Sequence, residues 1–263
     1  MNVVVAVAEV AELAEDFELE DGEIPERYLD YGLNEWDEYA VEAGVRLAEA
    51  DVVEDVVAVT VGPERCEETV RQVLAKGADR AVRVWDDALA GRALDPGATA
   101  RLLAPVVREA DADLVLSGVQ ASDDGFGATG VSLAAELGYE WAAVVNALDV
   151  DADAGTASVH RELEGGVEEL TEVALPAVLT VQTGLNEPRY ASLRGIRQAQ
   201  SKELAVRSPA DLGLDAAAAE SALSVGATHR PEGGGETTYF EGDAAEQAAQ
   251  LAALLRDEGV VGE

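Results

Sequence analysis

The first 145 residues alternate short apolar runs with segments whose apolar residues recur at helical spacing. The apolar runs predict buried strands at residues 3–8, 55–62, 80–85, 113–118 and, further along, 177–182. The segments between them predict helices at residues 37–50, 63–77, 99–110 and 128–138. Pro105 is expected to kink or shorten the third helix. Fully apolar strands that alternate with helices indicate a mostly parallel, doubly wound sheet, which binds ligands at the carboxyl ends of its strands.

The pattern changes after residue 141. Three segments of strand character, with the turn-forming pair Gly165 and Gly166 between the last two, predict an antiparallel addition to the sheet; they lie at residues 142–150, 156–163 and 168–175. The sequence thus predicts an α/β class of fold with an antiparallel addition.

A less regular arm follows from about residue 206. Its stretch HRPEGGGETT (229–238) is expected to be extended or mobile. The arm ends in a predicted amphipathic helix at 243–259, with Asp243 as its cap. We therefore predict an α/β nucleotide-binding domain over 1–205 and a C-terminal arm over 206–263. Because its helix has little core of its own, this arm is expected to dock on a partner subunit.

The charge of the chain is strongly acidic, with 53 acidic and 18 basic residues and a formal net charge of −35 at pH 7. Nucleic-acid-binding proteins need basic patches that displace counterions, so this composition excludes that class. An acidic surface suits a cytoplasm of molar salt, where screening within a few ångströms removes the self-repulsion. We expect a protein from a salt-adapted organism that partly unfolds at low salt.

Cysteine and histidine are scarce, with Cys66, His160 and His229 as the complete set. One cysteine excludes an intrachain disulfide, and no Cys/His cluster can form a metal centre. Cys66 lies on the apolar face of its predicted helix and is interpreted as a small core residue, not a nucleophile. The N-terminus lacks the flanks of a signal peptide, and no apolar run approaches the length of a membrane span. We expect a soluble, cytoplasmic protein without membrane insertion.

The segment SGVQASDDGFGATG (117–130) follows a predicted strand and opens a helix. It contains G-x-G-x-x-G at Gly125, Gly127 and Gly130. Glycines let the backbone approach a ligand closely, and free amides at a helix start face a phosphate. Two interpretations stay open, a nucleotide phosphate site and a merely tight strand–helix turn.

Residues for catalysis are not evident. The loop has no lysine of the P-loop type, which argues against nucleoside-triphosphate hydrolysis. No carboxylate pair, triad or metal motif stands out from the acidic background. Asp123 and Asp124 fit a helix cap, a ribose contact or a solvated surface equally well. The residues alone predict a nucleotide-binding α/β protein without catalytic groups of its own.

A second particular segment is LNEPRYASL (185–193), which is too polar for a core. Extended to LNEPRYASLRGIRQAQSKE, it resembles the signature of the β subunit of electron-transfer flavoprotein. Earlier segments resemble the same family in the right order: LNEWDEYAVEAGVRL, VGPERCEETVRQVLAKGADRAVRV and LVLSGVQASDDGFGATG. The resemblance covers nearly the whole chain.

This resemblance implies a heterodimer with a Rossmann-like fold of the adenine-nucleotide α-hydrolase type. In the family, an α subunit carries most of the FAD site, and the β subunit packs against that flavin and buries a second nucleotide. The second nucleotide is AMP in respiratory members and a second FAD in electron-bifurcating members. Electrons come from acyl-CoA or related dehydrogenases and leave to a quinone oxidoreductase. The β subunit is then an electron carrier subunit, not an enzyme with its own acid or base.

The resemblance also assigns residues by position. The expected AMP contacts are Ala6, Asn34, Glu35, Trp36, Asp37, Val61, Gly118, Val119, Gln120, Ala121, Ser122, Asp123, Asp124, Gly125, Phe126, Gly127, Ala128 and Thr129. The expected partner-docking residues are Arg189, Tyr190, Leu193 and Ile196. Within that group we expect Arg189 and Tyr190 to pack or pair inside the subunit, and Leu193 to be the exposed anchor.

The chain departs from the family pattern near the nucleotide. Ala8 and Glu9 stand where the family usually has Lys-Arg, and Leu13 stands near the position of a flavin-side aromatic residue. The usual Asp-Asn-Gln of the loop is replaced by Gly125, Gly127 and Ala128, so backbone amides must do more of the phosphate binding.

Two further departures bear on the ligand and on the partner. Asp124 and Thr129 stand where the bifurcating members have glycine and valine, so AMP is expected over a second FAD. Past Leu193, the sequence RGIR is less basic than the family's usual flank, so the dehydrogenase that docks here stays open.

Two alternatives to the main hypothesis remain. The electron-bifurcating variant would carry a second FAD in the β subunit. A stand-alone adenine-nucleotide-binding regulator, resembling universal stress proteins, would lack the LNEPRYASL segment and the C-terminal arm. A count of flavins per heterodimer separates the first alternative from the main hypothesis.

Overall fold

The computed structural model describes residues 1–230 and 237–260 of the chain. Its strands are β1 (Asn2–Ala6), β2 (Glu9–Leu13), β3 (Leu29–Leu33), β4 (Asp55–Val61), β5 (Arg80–Val84), β6 (Leu114–Gly118), β7 (Glu140–Asp151), β8 (Thr156–Leu163), β9 (Val167–Ala174), β10 (Ala177–Val181) and β11 (Leu204–Arg207). Its α-helices are α1 (Glu35–Glu49), α2 (Cys66–Lys76), α3 (Pro96–Glu109), α4 (Thr129–Leu137), α5 (Leu193–Ala199) and α6 (Ala244–Asp257).

Nine strands form one sheet in the order β11-β5-β4-β1-β6-β10-β7-β8-β9. The strands from β11 to β7 pair in parallel, and β7, β8 and β9 pair antiparallel. The predicted fold class, a mostly parallel α/β sheet with an antiparallel addition, is confirmed. Gly165 and Gly166 form the predicted turn between β8 and β9, both with positive φ.

The sheet changes direction beside β1. After β1 the chain builds β4 and β5 on one side of it and then crosses to place β6 on the other side. At such a topological switch point the connections leave in opposite directions, so a crevice opens at the carboxyl ends of the two strands. The end of β1 at Ala6 and the end of β6 at Gly118 mark this crevice.

Side chains that alternate along β1 face two different layers. Val5 belongs to the layer that includes Val41 of α1, and Val4 to the layer that includes Leu102 of α3 and Leu133 of α4. All five side chains are buried. Full burial of one valine or leucine side chain contributes about 1.5–3 kcal/mol, so these two layers fix the edges around the crevice firmly.

Two elements differ from the sequence prediction. The hairpin of β2 and β3 was not predicted, because its strands have weak alternation and are separated by an irregular stretch. Helix α3 begins before residue 99, since Asp95 caps it by accepting a hydrogen bond from the Ala98 N–H. It runs through Pro105 to Glu109, so the proline does not shorten it.

The chain divides into two compact units, Met1–Gly226 and Ala227–Glu263. Strand β11 pairs with β5, and Leu212 and Ala218 join a core layer, so residues 206–226 belong to the first unit. In the second unit, Asp243 caps α6 through a capping box with Glu246. The prediction for 229–238 falls mainly on residues outside the described part. No helix in the described ranges has the length and apolar character needed to cross a membrane.

Candidate functional site

A cavity of about 230 Å³ lies at the topological switch point. It is enclosed by the ends of β1, β4 and β6, the start of α1, the beginning of α3 and the loop that leads into α4. Its described lining is Ala6, Val7, Ala8, Glu9, Asn34, Asp37, Val61, Leu94, Thr99, Leu103, Ser117, Gly118, Val119, Gln120, Ala121, Asp123, Asp124, Gly127, Ala128 and Thr129.

The structure brings all but five of the eighteen sequence-predicted contacts together in this lining. The five that do not line it are Glu35, Trp36, Ser122, Gly125 and Phe126. The Trp36 indole N–H is turned to Gln182, to whose Oε1 it donates at 2.9 Å, and Phe126 is half-exposed. Whether the other predicted residues touch a nucleotide stays a prediction.

Seven lining residues were not among the predicted contacts: Val7, Ala8, Glu9, Leu94, Thr99, Leu103 and Ser117. Thr99 and Leu103 lie in α3, which follows β5, and Leu94 immediately precedes Asp95, the cap of that helix. These residues could have been predicted from the order of strands and helices, because every helix that follows a parallel strand begins at the same edge of the sheet. The last strand residues, such as Ser117, follow from the same rule.

Asp37, in the first turn of α1, ties the two strands of the crevice together. Its carboxylate accepts hydrogen bonds from the Ala8 N–H and the Gly118 N–H, each at 2.7 Å. The residue is only 4% exposed. Burial raises its pKa to about 6, although the bonds from these two amides and from Asn34 act in the opposite direction. Asp37 therefore holds the cavity wall, and each of its two carboxylate oxygens accepts one backbone hydrogen bond.

Two glycines let the backbone form the cavity wall. At Gly118, a Cβ atom would lie 2.6 Å from Trp36 Cβ and 2.7 Å from Asp37 Oδ1, so no other residue fits between β6 and α1. Gly127 has φ +60, in the left-handed region that favours glycine. The backbone reaches the start of α4 through this left-handed residue.

The start of α4 offers a group of unused donors. Ala128 is the N-cap residue and makes no side-chain cap. Among the described residues, the backbone N–H groups of Gly127 to Val131 have no acceptor. The positive end of the helix dipole adds to these amides, and together they favour an anion such as a phosphate.

Two buried side-chain oxygens in the lining lack a partner among the described residues, Asn34 Oδ1 and Ser117 Oγ. Asn34 is 1% exposed and Ser117 is 7% exposed. The side-chain amide of Asn34 is oriented by its Nδ2 group, which donates to the Gln120 carbonyl at 2.8 Å. The Ser117 hydroxyl faces Gly130 in the first turn of α4, where an added Cβ would lie 2.7 Å from it. Because buried polar atoms are normally paired, these two oxygens fit hydrogen-bonding groups of a ligand.

Glu9, which lines the cavity, has a buried side chain. Arg65 lies 2.9 Å from Glu9 Oε1, the Cys66 thiol donates to Oε1 at 3.2 Å, and the Thr69 hydroxyl donates to Oε2 at 2.9 Å. Burial, together with Glu9, raises the pKa of Cys66 to about 12. The interpretation of Cys66 as an inert core residue agrees with its burial and this pKa.

The segment 185–199 lies beside α1 and is held there by ion pairs. Arg189 Nε donates to Glu42 Oε2 at 2.7 Å, and Arg189 Nη1 donates to Glu49 Oε1 at 2.6 Å. Lys76 Nζ donates to the Arg189 carbonyl at 2.8 Å. Arg189 therefore pairs within the chain, as the sequence analysis expected.

The other three predicted docking residues are exposed. Tyr190 is 97% exposed, Leu193 is 78% exposed, and Ile196 is also exposed. The expectation that Tyr190 packs inside the subunit is wrong, because its side chain has no core to reach at the outer side of this segment. We call Tyr190, Leu193 and Ile196 the apolar patch; Ser192 caps α5 between them by accepting from the Gly195 N–H.

A metal site is not evident. The described residues contain no group of three or more histidine, cysteine, aspartate or glutamate side chains that could hold a metal ion. His160 lies on β8 with its Nε2 atom 3.3 Å from Glu168, and Trp141 is half-exposed at the start of β7, so neither belongs to the cavity.

Comparison with known proteins gives one consistent family. The electron transfer flavoprotein domain matches residues 22–212. The electron transfer flavoprotein subunit beta of Methylophilus methylotrophus is 44% identical over 263 residues, covering 98% of each chain. The human protein of the same name is 41% identical over 195 residues, 74% of this chain and 75% of its own. The Syntrophomonas wolfei subunit is 34% identical over 225 residues, 86% of this chain and 84% of its own.

Proposed function

This chain belongs to the electron transfer flavoprotein family as a β subunit, and from that premise we propose three tasks for it. It binds AMP in the switch-point cavity as a structural nucleotide. It packs against an FAD held mainly by its α partner. It docks acyl-CoA or related dehydrogenases, so that electrons pass through the FAD to a quinone oxidoreductase. We further propose that this subunit works in the cytoplasm.

The observation that carries the AMP assignment is the pairing of unused donors with unused acceptors around one cavity. The amides from Gly127 to Val131 suit the phosphate, because they need no side chain and lie at the positive end of α4. The buried oxygens of Asn34 and Ser117 suit hydroxyl or amino groups of the nucleoside. Because Gly118 has no side chain, Asp37 can approach the backbone closely and hold the cavity wall between the phosphate amides and the two buried oxygens.

The FAD supplies the redox chemistry when it is bound, accepting and releasing electrons. This chain's own residues contribute no nucleophile or general base that we can assign. Cys66 has a raised pKa and is buried, and both carboxylate oxygens of Asp37 accept hydrogen bonds from the backbone. The role that fits such residues is to hold, orient and shield, and we propose that the subunit is an electron carrier without catalysis of its own.

The apolar patch supports the docking task. Leu193 projects at the first turn of α5, between the exposed side chains of Tyr190 and Ile196. An exposed apolar anchor with a polar surround suits a transient interface, where a few residues supply most of the affinity. The rigid attachment of Arg189 to α1 keeps the patch in one place.

The alternatives bear on the nucleotide, not on the family. The regulator resembling universal stress proteins is set aside, since the chain belongs to another family over almost its full length. The electron-bifurcating variant differs by a second FAD in the cavity. We favour AMP because Asp124 and Thr129 depart from the bifurcating loop.

The experiment is to co-express the chain with its α partner in high salt, denature the complex, and identify the released nucleotides by mass and absorbance. One FAD and one AMP per heterodimer is the expected result. Two FADs would assign a redox role to the cavity and overturn the structural role of AMP. FAD with no second nucleotide would remove the nucleotide assignment altogether.

A further inference from the structure

The described lining of the switch-point cavity contains four acidic side chains and no basic one: Glu9, Asp37, Asp123 and Asp124. This is unusual for a site that is expected to hold a phosphate, because phosphate sites commonly carry arginine or lysine. The four carboxyl groups differ in their hydrogen-bond and ion-pair partners within the protein. Those partners show which carboxyl groups are left to interact with a ligand.

Two of the four are committed to the protein. Glu9 is paired with Arg65 at 2.9 Å, and Asp37 accepts two backbone hydrogen bonds that join β1 to β6. Neither side chain is free to interact with a ligand without loss of those contacts. Both carboxylates are held in place by the protein itself, so their effect on a ligand is a fixed background.

Asp123 and Asp124 have no cationic partner within the described residues. Asp123 Oδ2 accepts from the Ala11 N–H at 3.3 Å, and Asp124 Oδ1 accepts from the Phe126 N–H at 2.9 Å. Both are surface residues of the loop and are exposed to solvent. Each of these carboxyl groups has one oxygen atom that accepts no hydrogen bond from the described residues.

These two carboxylates and the first of the free donors belong to the same loop and line the same cavity. The amides without acceptors begin at Gly127, three residues after Asp124. A phosphate at those amides would sit beside two uncompensated carboxylates that line the same cavity. A phosphate at those amides gains their hydrogen bonds and the helix dipole, and each further phosphate adds negative charge beside the two carboxylates.

We propose that, at salt concentrations where their charges are not screened, Asp123 and Asp124 determine how many phosphates the cavity accepts. The amides of α4 hold one phosphate, and the two carboxylates disfavour ligands with a second one, whether a nucleoside diphosphate or a dinucleotide joined through a diphosphate. The inference rests on the proposed function, in that it assumes an adenine nucleotide as the ligand. It adds the residues that select the ligand and the physical means, which is charge.

Selection by charge has a salt dependence of its own. Added salt screens repulsion between exposed charges, and the Debye length falls from ~10 Å at 0.1 M to ~3 Å at 1 M. Discrimination between AMP and ADP should therefore weaken as salt rises. A site that selected by the size of its cavity would keep the same discrimination at every salt concentration.

The test uses the full chain in complex with its α partner, freed of nucleotide, and titrates AMP and ADP by calorimetry. The variants are Asp123→Asn, Asp124→Asn and the double variant, which keep an oxygen for the Ala11 and Phe126 amides. The matched control is the double variant Glu162→Gln with Glu164→Gln, which removes two exposed charges from β8 and the turn that follows it.

In about 0.5 M KCl we expect the ratio of the dissociation constants for ADP and AMP to fall about tenfold in the double Asp variant and to stay unchanged in the control. In about 3 M KCl the wild-type ratio should approach that of the double variant. If AMP binds but the ratio is the same in wild type and double variant, the selection is not made by these charges and the inference is overturned. If neither nucleotide binds the wild type, the proposed function fails first.

Discussion

Helix α1 carries two buried carboxylates five residues apart, and each holds a different region of the molecule. Asp37, in the first turn, holds the wall of the switch-point cavity. Glu42, in the middle of the helix, holds the segment that bears the apolar patch. Asp37 is only 4% exposed and Glu42 only 3% exposed, and both belong to the same acidic chain.

Their partners differ in charge. Asp37 is met by the neutral amides of Ala8 and Gly118, whereas Glu42 is met by the guanidinium groups of Arg189 and Arg46. Burial raises the pKa of Asp37 to about 6. Burial also acts to raise the pKa of Glu42, but the hydrogen bonds from Arg189 and Arg46 outweigh it and leave that pKa below its ordinary value.

The difference shows two ways to use a carboxylate as an anchor. Amide donors fix the backbone of a cavity wall without adding a positive charge that would have to be desolvated, but they leave the carboxylate poorly compensated. Guanidinium donors compensate the charge and reach across the surface to a separate segment. The cavity wall is thus held by short contacts from α1 to backbone amides, and the segment 185–199 by long side chains.

The largest effect on stability is expected when the carboxylate of Asp37 is removed, because no other side chain among the described residues accepts the hydrogen bonds of the Ala8 and Gly118 amides. Asp37→Ala leaves two buried N–H groups without acceptors, and we expect a loss of about 3 kcal/mol in the free energy of unfolding. Urea unfolding in high salt measures it. The matched control is Glu35→Ala, which removes an exposed carboxylate from the same turn. Equal losses in the two variants would show that Asp37 is not the anchor of the crevice.

The pH dependence should separate the two carboxylates by sign. The folded pKa of Asp37 is raised, so folding takes up a proton there, and its contribution to stability grows as the pH falls from about 6 to about 4, by about 3 kcal/mol. The folded pKa of Glu42 is lowered, so its contribution is present above the ordinary pKa of 4.5 and is lost as the pH falls below it.

Measured against pH, the difference in unfolding free energy between wild type and Asp37→Ala should therefore widen towards pH 4. The difference between wild type and Glu42→Ala should narrow once the pH falls below 4.5. Two curves with the same slope would contradict the assignment of opposite environments to these residues. The comparison is made in high salt throughout, so that the general acidity of the chain acts equally on all three proteins.

The two anchors also show where prediction from the sequence ends. The strands and helices around the cavity could be predicted from apolar periodicity, and the loop from its glycines. Both signals lie within the segment that they describe. Asp37 was named through the family resemblance and Glu42 was not named at all, since nothing local distinguishes a carboxylate that the fold will bury among 53 acidic residues. The error over Tyr190 has the same origin: whether a side chain beside Arg189 packs or projects depends on a helix more than 140 positions away.

A smaller effect is expected when the guanidinium is removed from Glu42. Arg189→Leu leaves Glu42 with Arg46 alone, so the pKa of Glu42 should rise and the free energy of unfolding should fall by about 2 kcal/mol. Chemical denaturation and its pH dependence measure both. Arg194→Leu, an exposed position on α5 with the same change of charge, is the control. A loss no larger than that of the control would show that the ion pairs of Arg189 do not stabilise the fold.

The smallest effect on stability, and the most informative one for the docking segment, is expected for Leu193→Ala. Leu193 is exposed, so its truncation removes no core contact and should change the free energy of unfolding by less than about 0.5 kcal/mol. If it is the anchor of a transient interface, electron transfer from the partner dehydrogenase should nevertheless slow about tenfold, with unchanged flavin content.

Leu170→Ala, which truncates an equally exposed leucine on β9, should leave the transfer rate unchanged. Stopped-flow reduction of the heterodimer by its dehydrogenase measures the rate, and equal rates for both variants and wild type would remove Leu193 from the docking role. A rate that falls only for Leu193→Ala, with the nucleotides released from the complex unchanged, would show that the two regions held by α1 are functionally distinct.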